Sequence, residues 1–172
     1  SGIVLSVGEG VNEFEIGDYV AAAGAGLANH AEYVNVPKNL VVKCPDGIDM
    51  KSASTVTLGA ISMHGVRRSE LSIGDYCAVF GTGILGLISI QILSKMGVRV
   101  IAVDIDDRRL EIAQKLGAEV VVNSSKEDPV KRALFFTNNH GVDSVLFSAN
   151  VNSVKPLSQA FNMCRRKGKV VM

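Results

Sequence analysis

Three glycines stand at the spacing of a phosphate-binding turn, between a short apolar run and an apolar segment of helical length. They are Gly81, Gly83 and Gly86, in a G-x-G-x-x-G pattern. The first predicts a tight turn, the second gives a pyrophosphate access to the backbone, and the third lets a helix pack closely on the preceding strand. A diphosphate would lie at the helix N-terminus, where free N–H groups and the helix dipole favour negative charge. The pattern therefore predicts a dinucleotide site, with ordinary turns as the alternative for the glycines.

An acidic residue follows at the position that such a site requires. The apolar segment 98–104 ends in Asp104, roughly 20 residues beyond the last glycine. A carboxylate at this strand end accepts hydrogen bonds from the adenosine ribose and repels a 2′-phosphate, which favours NAD over NADP. The alternatives for Asp104 are a helix N-cap and a solvated strand end. Arg108 and Arg109 argue the other way, because a nearby arginine can bind the 2′-phosphate.

The predicted site includes four more residues. Thr82 and Ile84 offer backbone N–H groups in the turn, and Leu85 lies in the first turn of the helix. Ser148 ends a later predicted strand, at the sheet edge where open α/β proteins bind ligands. The alternative for its hydroxyl is a bond to the local backbone. The sequence holds no Ser/His/Asp or Cys/His set for nucleophilic catalysis, so no catalytic residue is assigned.

Strands and helices alternate along the second part of the chain. These elements position the candidate site residues. Residues 76–80 are continuously apolar, as expected of a parallel strand buried on both faces. A helix from 124 is predicted from a capping-box pattern, Ser124-x-x-Glu127. Helices are predicted over 84–96, 107–116, 124–138 and 153–166, and strands over 76–80, 98–104, 119–122, 142–148 and 169–172. This alternation predicts an α/β fold with a doubly wound parallel sheet, with five of the six strands of a Rossmann sheet in the order 3-2-1-4-5.

The first part of the chain has a different pattern. Short strands with glycine turns between them are typical of antiparallel β structure and of part of a barrel. They are predicted over 2–7, 18–22, 31–36 and 40–43, and a helical segment interrupted at Gly59 follows over 50–69. We predict a partial β domain over residues 1–52 and a Rossmann NAD-binding domain over residues 53–172. Because the chain begins at Ser1 and ends inside a predicted strand, we expect it to be a piece of a larger protein.

Composition narrows the possible functions. The chain has 172 residues, a net charge of +1 and 47% apolar residues, which gives no support to nucleic-acid binding. No apolar run is long enough to span a membrane. The three cysteines are isolated from one another, so we predict no disulfide framework, no metal site and a cytoplasmic location.

The chain resembles the medium-chain (zinc-type alcohol) dehydrogenase/reductase family over essentially its whole length. The likeness is carried by the glycine motif and by the segments Gly2-Ile-Val, Gly8-Glu-Gly10, Gly17-Asp-Tyr-Val20, Ala31-Glu-Tyr33, Val36-Pro37, Arg108-Arg-Leu110 and Leu116-Gly-Ala118. The resemblance implies a GroES-like catalytic β-barrel domain before the Rossmann domain, NAD as cofactor, and a small-molecule alcohol or polyol as substrate. It also implies Arg109 beside the ribose, Ser148 near the nicotinamide, and a homodimer of the parent protein through the edge of the cofactor sheet. Residues 57–60 and 142–149 are most similar to a bacterial branch, some members of which carry a second, Gfo/Idh/MocA-like oxidoreductase domain.

The same resemblance implies that this chain lacks the family's zinc ligands. The first two catalytic ligands, a Cys and a His, would precede Ser1, and no Cys or His stands near Val56, where the third is expected. The four-cysteine structural site would lie between Val20 and Ala31, where only His30 is found. Because a structural zinc needs four ligands and a catalytic zinc needs three, we predict no zinc in this chain.

Three functions stay open from the sequence. The first is hydride transfer between NAD(H) and a secondary alcohol or its carbonyl, with little or no turnover by this chain alone. The second is a zinc-free, NADPH-dependent reductase of quinones or enones, which Asp104 disfavours. The third is a dinucleotide-binding domain that catalyses nothing.

Overall fold

The computed structural model describes residues 1–172, which divide into two compact units, Ser1–Gly59 and Ala60–Met172. None of the helices combines the length and the apolar character that crossing a bilayer requires. Each unit has its own sheet, and the two sheets differ in strand direction.

The first unit holds a small antiparallel sheet. Its strands are β1 (Gly2–Ile3), β2 (Tyr19–Ala22) and β3 (Val41–Lys43), in the order β1-β2-β3. A 3-10 turn covers Lys38–Leu40, helix α1 covers Met50–Ala53, and α2 (Val56–Ser69) carries the chain into the second unit. The antiparallel pairing agrees with the predicted β structure, and the GroES-like barrel stays a prediction.

Two predictions for this part of the chain are wrong. Residues 31–36 form no strand, although apolar and polar residues alternate there. A strand also needs a neighbouring strand to pair with, and residues 31–36 pair with none. Tyr33, for example, is 76% exposed. The helical segment breaks at Ser54 and Thr55 rather than at Gly59. Both hydroxyls donate to backbone carbonyls three residues earlier, and such local bonds compete with the helix.

Five parallel strands form the sheet of the second unit. They are β4 (Tyr76–Phe80), β5 (Arg99–Asp104), β6 (Val120–Asn123), β7 (Val142–Phe147) and β8 (Cys164–Val171). The connecting helices are α3 (Ile84–Lys95), α4 (Asp107–Lys115), α5 (Pro129–Phe136) and α6 (Lys155–Met163). The strand order is β6-β5-β4-β7-β8, which is the predicted order with β4 as the first strand. The α/β fold with a Rossmann-like sheet is therefore confirmed.

Strand β4 is buried on both faces. Cys77 and Val79 pack on one side with α3, whereas Ala78 and Phe80 pack on the other side with α5 and α6. Three of these four side chains have no exposed surface. This burial fixes the carboxyl end of β4, where the three glycines begin.

The helix predicted from Ser124 begins at Pro129 instead. Asp128 is its N-cap, and the carboxylate accepts the N–H of Val130 at 2.9 Å. Proline suits the first helical position because it lacks an N–H that would need a partner there. Ser124 and Glu127 lie in the connection between β6 and α5. The Asp-Pro pair is therefore the helix start, and the capping-box prediction is wrong.

The last helix is shorter, and the last strand longer, than predicted. Helix α6 ends at Met163 and β8 begins directly at Cys164. Lys167 has a φ of 62°, and the pairing of β8 with β7 becomes regular only at Lys169. The charged residues before this point gave no strand signal in the sequence.

Candidate dinucleotide site

Gly81 makes the turn between β4 and α3. Its φ is 85°, in the left-handed region that side chains rarely adopt. A Cβ at this position would lie 2.7 Å from the backbone nitrogen of Ala149. Its own N–H donates to the carbonyl of Val103 at 2.8 Å. Conformation and space both restrict the position to glycine. We refer to residues 81–83 as the glycine turn.

The other two glycines lie in contrasting surroundings. A Cβ on Gly86 would lie 1.9 Å from the carbonyl oxygen of Gly81, so the absence of a side chain lets α3 pack against the glycine turn. A Cβ on Gly83 would meet nothing within 4 Å. Gly83 therefore borders the open side of the turn, where a diphosphate could approach the backbone.

The N-terminus of α3 has no side-chain cap. Gly83 is the N-cap residue and makes no side-chain cap hydrogen bond; α6 also lacks such a bond, whereas aspartates cap α1, α4 and α5. The N–H groups of Gly83, Ile84 and Leu85 have no acceptor in the structure. The side chain of Ile84 is 55% exposed. Free N–H groups at the positive end of the helix dipole favour an anion.

The carboxylate of Asp104, at the end of β5, faces the glycine turn. Its Oδ2 accepts the N–H of Thr82 at 2.6 Å and the Thr82 hydroxyl at 2.8 Å. Its Oδ1 accepts the N–H groups of Ile105 at 2.7 Å and Asp106 at 3.1 Å. Partial burial alone would raise the pKa of this carboxyl, but the four hydrogen bonds outweigh burial and lower it below its ordinary value. The N-cap of α4 is Asp106, so Asp104 is not the helix cap that the sequence left as an alternative.

The N–H of Thr82 has a different partner from the one predicted. Its N–H donates to Asp104 and is not free for a diphosphate. Its side chain is completely buried. Thr82 therefore joins the glycine turn to β5, and the free backbone donors begin one residue later.

Ser148 and Arg109 lie at opposite sides of the predicted site. The Ser148 hydroxyl is 3.0 Å from the carbonyl of Phe80 and 2.9 Å from that of Gly81, so it bonds the backbone of β4 and the glycine turn rather than backbone near it in sequence, although the residue is exposed. Arg109 is 57% exposed, and its Nε lies 4.0 Å from the Asp106 carboxylate. Neither side chain bonds Asp104, and their contacts with a cofactor stay predictions.

Asn123, at the end of β6, was missed by the sequence analysis. It is 8% exposed and stands directly opposite Asp104 in the parallel pairing of β5 and β6. Its Nδ2 donates to the carbonyl of Ile105 at 3.1 Å and to the carboxylate of Asp107 at 2.7 Å. The available signal was a polar residue that closes an otherwise apolar strand.

A cavity of about 610 Å³ lies in the second unit, next to Ser148. Helices α2 and α3 and strands β7 and β8 line it, with Leu85 and Phe147 among the apolar residues and His64 and Arg68 among the polar ones. The Leu85 carbonyl accepts the hydroxyl of Ser62, which joins α3 to α2. The volume lies within the range of small-molecule pockets. A larger cavity of about 700 Å³ lies along α5 and includes none of the predicted site residues.

The side chains present do not fit a zinc site. No group of three or more His, Cys, Asp or Glu side chains could hold a metal ion. A catalytic zinc needs three protein ligands. No step proposed below therefore involves zinc.

A parallel sheet, a glycine turn at its centre and an acid at the end of the adjoining strand define a dinucleotide-binding α/β protein. Residues 85–172 match a family model described as zinc-binding dehydrogenase. The chain belongs to this zinc-binding dehydrogenase family, as the resemblance in the sequence implied.

Similar proteins include several alcohol dehydrogenases. The chain is 31% identical over 199 residues to an alcohol dehydrogenase of Geobacillus stearothermophilus, with 99% of this chain and 58% of that protein covered. It is 31% identical over 197 residues to (R,R)-butanediol dehydrogenase of Bacillus subtilis (strain 168), with coverage of 100% and 56%. The structure is similar to alcohol dehydrogenase TADH from Thermus sp. ATN1, with a TM-score of 0.88, 28% identity, and coverage of 99% and 60%. The chain thus spans less than two thirds of the length of these relatives.

Proposed function

We propose that this chain is the NAD(H)-binding part of an oxidoreductase that moves a hydride between the nicotinamide and an alcohol or its carbonyl. One observation carries the proposal. The uncapped N-terminus of α3 opens beside Gly83, and the ionised carboxylate of Asp104 lies at the end of the adjoining strand. An anionic diphosphate and a ribose joined to it match this pair of features.

The chain's own residues would bind and orient the cofactor, and bound NAD would supply the hydride chemistry. The free N–H groups of Gly83, Ile84 and Leu85 would hold the diphosphate. Asp104 would accept the ribose hydroxyls. Its four hydrogen bonds already fill the usual capacity of a carboxylate. Only the Thr82 hydroxyl among the four donors can rotate, so we expect the ribose to displace or share that bond.

The cavity beside Ser148 is the proposed space for the nicotinamide end. Its apolar lining, which includes Leu85 and Phe147, suits one face of a flat ring. It lies next to the carboxyl end of β7, where open α/β sheets bind ligands. Leu85 would then contact the diphosphate through its free N–H group and the ring through its side chain.

The substrate class is proposed from the named relatives, one an alcohol dehydrogenase and one a butanediol dehydrogenase. Since the chain spans 58% of the first of them, the turnover of an alcohol is proposed for the whole protein. A homodimer through the edge of the cofactor sheet belongs to the same proposal. An alcohol-dependent NAD reduction assay on the longer protein tests the substrate class, and no turnover with any secondary alcohol would contradict it.

Titration of the chain with NADH and with NADPH, followed by the fluorescence of the reduced nicotinamide, tests the cofactor. We expect NADH to bind more tightly, because the Asp104 carboxylate repels a 2′-phosphate. Asp104→Asn should weaken NADH binding roughly 10–100-fold, the loss expected for hydrogen bonds to a charged group. Glu111→Gln removes the same charge from an exposed position on α4 and should leave binding unchanged. The proposal would be rejected if neither NADH nor NADPH bound to the chain.

A second candidate is an NADPH-dependent reductase of quinones or enones. It is favoured by the exposed Arg108 and Arg109, which follow Asp104 in the first turn of α4 and could bind a 2′-phosphate. The same titration separates the two candidates. Tighter binding of NADPH than of NADH would make the reductase the better assignment.

A further inference from the structure

The buried amide of Asn123 makes several hydrogen bonds beside Asp104. Both of its polar atoms are fully used. Nδ2 donates to the Ile105 carbonyl at 3.1 Å and to the Asp107 carboxylate at 2.7 Å, and Oδ1 accepts the N–H and the hydroxyl of Ser125. The neighbours fix the orientation of the amide, because a carbonyl and a carboxylate can only accept and the Ser125 N–H can only donate.

One of these bonds reaches Asp104 through a single peptide group. The Ile105 carbonyl and the Asp106 N–H belong to the same planar unit. Asn123 donates to the oxygen of that peptide group. The N–H of the same peptide group, which belongs to Asp106, donates to Oδ1 of Asp104 at 3.1 Å. The orientation of this peptide plane therefore depends on Asn123, and the position of the Asp104 carboxylate depends on the plane.

The other contacts hold the same loop from the β6 side. Asp107, in the first turn of α4, receives the second Asn123 hydrogen bond and pairs with Lys126 at 2.6 Å. The N–H of Ser124 donates to the Asp104 carbonyl at 2.9 Å. The segment after β6 thus fixes both ends of the turn that follows β5.

We propose that Asn123 is a positioning residue for the ribose-binding carboxylate of Asp104. The inference rests on the proposed function, in which Asp104 contacts the adenosine ribose. Asn123 itself need not touch the cofactor. Loss of its amide would let the 105–106 peptide rotate, and the carboxylate would no longer be held where it accepts ribose hydroxyls and repels a 2′-phosphate.

The test compares NADH and NADPH affinities, measured by fluorescence titration, in the 172-residue chain and three variants. Asn123→Ala should lower the preference for NADH over NADPH about 2–10-fold, the range expected for one or two hydrogen bonds. Ser125→Ala removes an exposed partner of the amide and should give a smaller change in the same direction. Thr137→Val is the control, because Thr137 is also buried and hydrogen-bonded, but at the other end of the sheet.

The ratio of affinities separates positioning from general stability. A purely structural role would lower the folded fraction in both the Asn123 and the Thr137 variants and leave the ratio at its original value. An unchanged ratio in folded Asn123→Ala would overturn the inference. If that variant does not fold, an unchanged ratio in Ser125→Ala would do so. Absence of dinucleotide binding by the original chain would instead reject the proposed function itself.

Discussion

The carboxylate of Asp104 holds two neighbouring segments together before any ligand arrives. Through Thr82 it joins the end of β5 to the glycine turn, and through its second oxygen it shapes the turn into α4. Charge-assisted hydrogen bonds of this kind contribute more to stability than neutral ones. The residue that the sequence singles out for ribose binding is therefore also part of the local fold.

A dependence of stability on pH follows from these bonds. The pKa of Asp104 is lowered in the folded chain, so its ionised form stabilises the fold above the unfolded pKa, and this contribution is lost as pH falls through the folded pKa. Asp104→Asn should reduce the free energy of unfolding at neutral pH by about 1–3 kcal/mol. The difference from the original chain should shrink below about pH 4. Urea unfolding at several pH values measures both effects, and a difference that does not vary with pH would contradict the argument.

Two glycines within helices, Gly86 and Gly59, allow a second test at the residue scale. Gly86→Ala should destabilise the chain by about 2 kcal/mol or more, because the new Cβ would lie 1.9 Å from a backbone oxygen that cannot move easily. Gly59→Ala is the matched control, since a Cβ there meets nothing within 4 Å and alanine favours a helix. Denaturant unfolding should show opposite signs for the two variants. Equal effects would mean that α3 can move away from the glycine turn at little cost.

The residue types of the proposed site could be predicted from the sequence, whereas their contacts could not. The spacing of the glycines and the position of Asp104 were predicted because one chemistry requires both. The contacts depend on where neighbouring strands end. They include the free backbone donors, the bonded N–H of Thr82 and the hydroxyl of Ser148, which bonds the glycine turn. Asn123 acts through a strand that is distant in sequence, so no local pattern indicated its role.

At the scale of elements, the helix N-termini differ in whether an aspartate side chain caps them. Aspartates cap α1, α4 and α5, whereas α3 begins at an uncapped glycine. The capped helices need no further anion at their N-termini, because a side-chain oxygen already accepts from the free N–H groups. Helix α6 also begins without a side-chain cap, so the open donors of α3 indicate a diphosphate only together with the glycine turn and Asp104 beside them.

The assignment of Asp128 as the N-cap of α5 can be tested directly. Asp128→Ala should cost about 1 kcal/mol in the free energy of unfolding, because the N–H of Val130 loses its acceptor. Glu127→Ala removes the same charge from the preceding exposed residue, and should change the free energy by less than about 0.5 kcal/mol. Thermal or urea unfolding of both variants measures the difference. A larger loss for Glu127→Ala would restore the capping box predicted from the sequence.

Elements were predictable where burial fixed them. The continuous apolar run of β4 has one arrangement that buries both faces, and its bounds agree with the prediction. The alternating residues 31–36 satisfy a strand pattern equally well, yet they find no partner strand in this chain. Strand formation there depends on distant pairing, which the local sequence does not encode.

At the scale of the whole molecule, the two units differ in how much apolar surface they bury. Only Val20, Ala21 and Ala53 are buried apolar residues in the first unit, whereas the second has a core on each face of its sheet. Backbone amides in β4, β5 and β7 should therefore exchange with solvent most slowly, and those in residues 23–36 most rapidly. Hydrogen exchange followed by mass spectrometry measures this order. Equal protection of both units would contradict it.

The double attachment of Asp104 has a consequence for the history of this chain. Loss of the negative charge would favour a phosphorylated ribose, and an exchange of Asp104 for a residue without a side-chain oxygen would also leave the buried hydroxyl of Thr82 without its acceptor. A lineage that switched cofactor in one step would therefore lose stability as well. We expect positions 82 and 104 to co-evolve, so that an engineered switch succeeds more readily when both are replaced together.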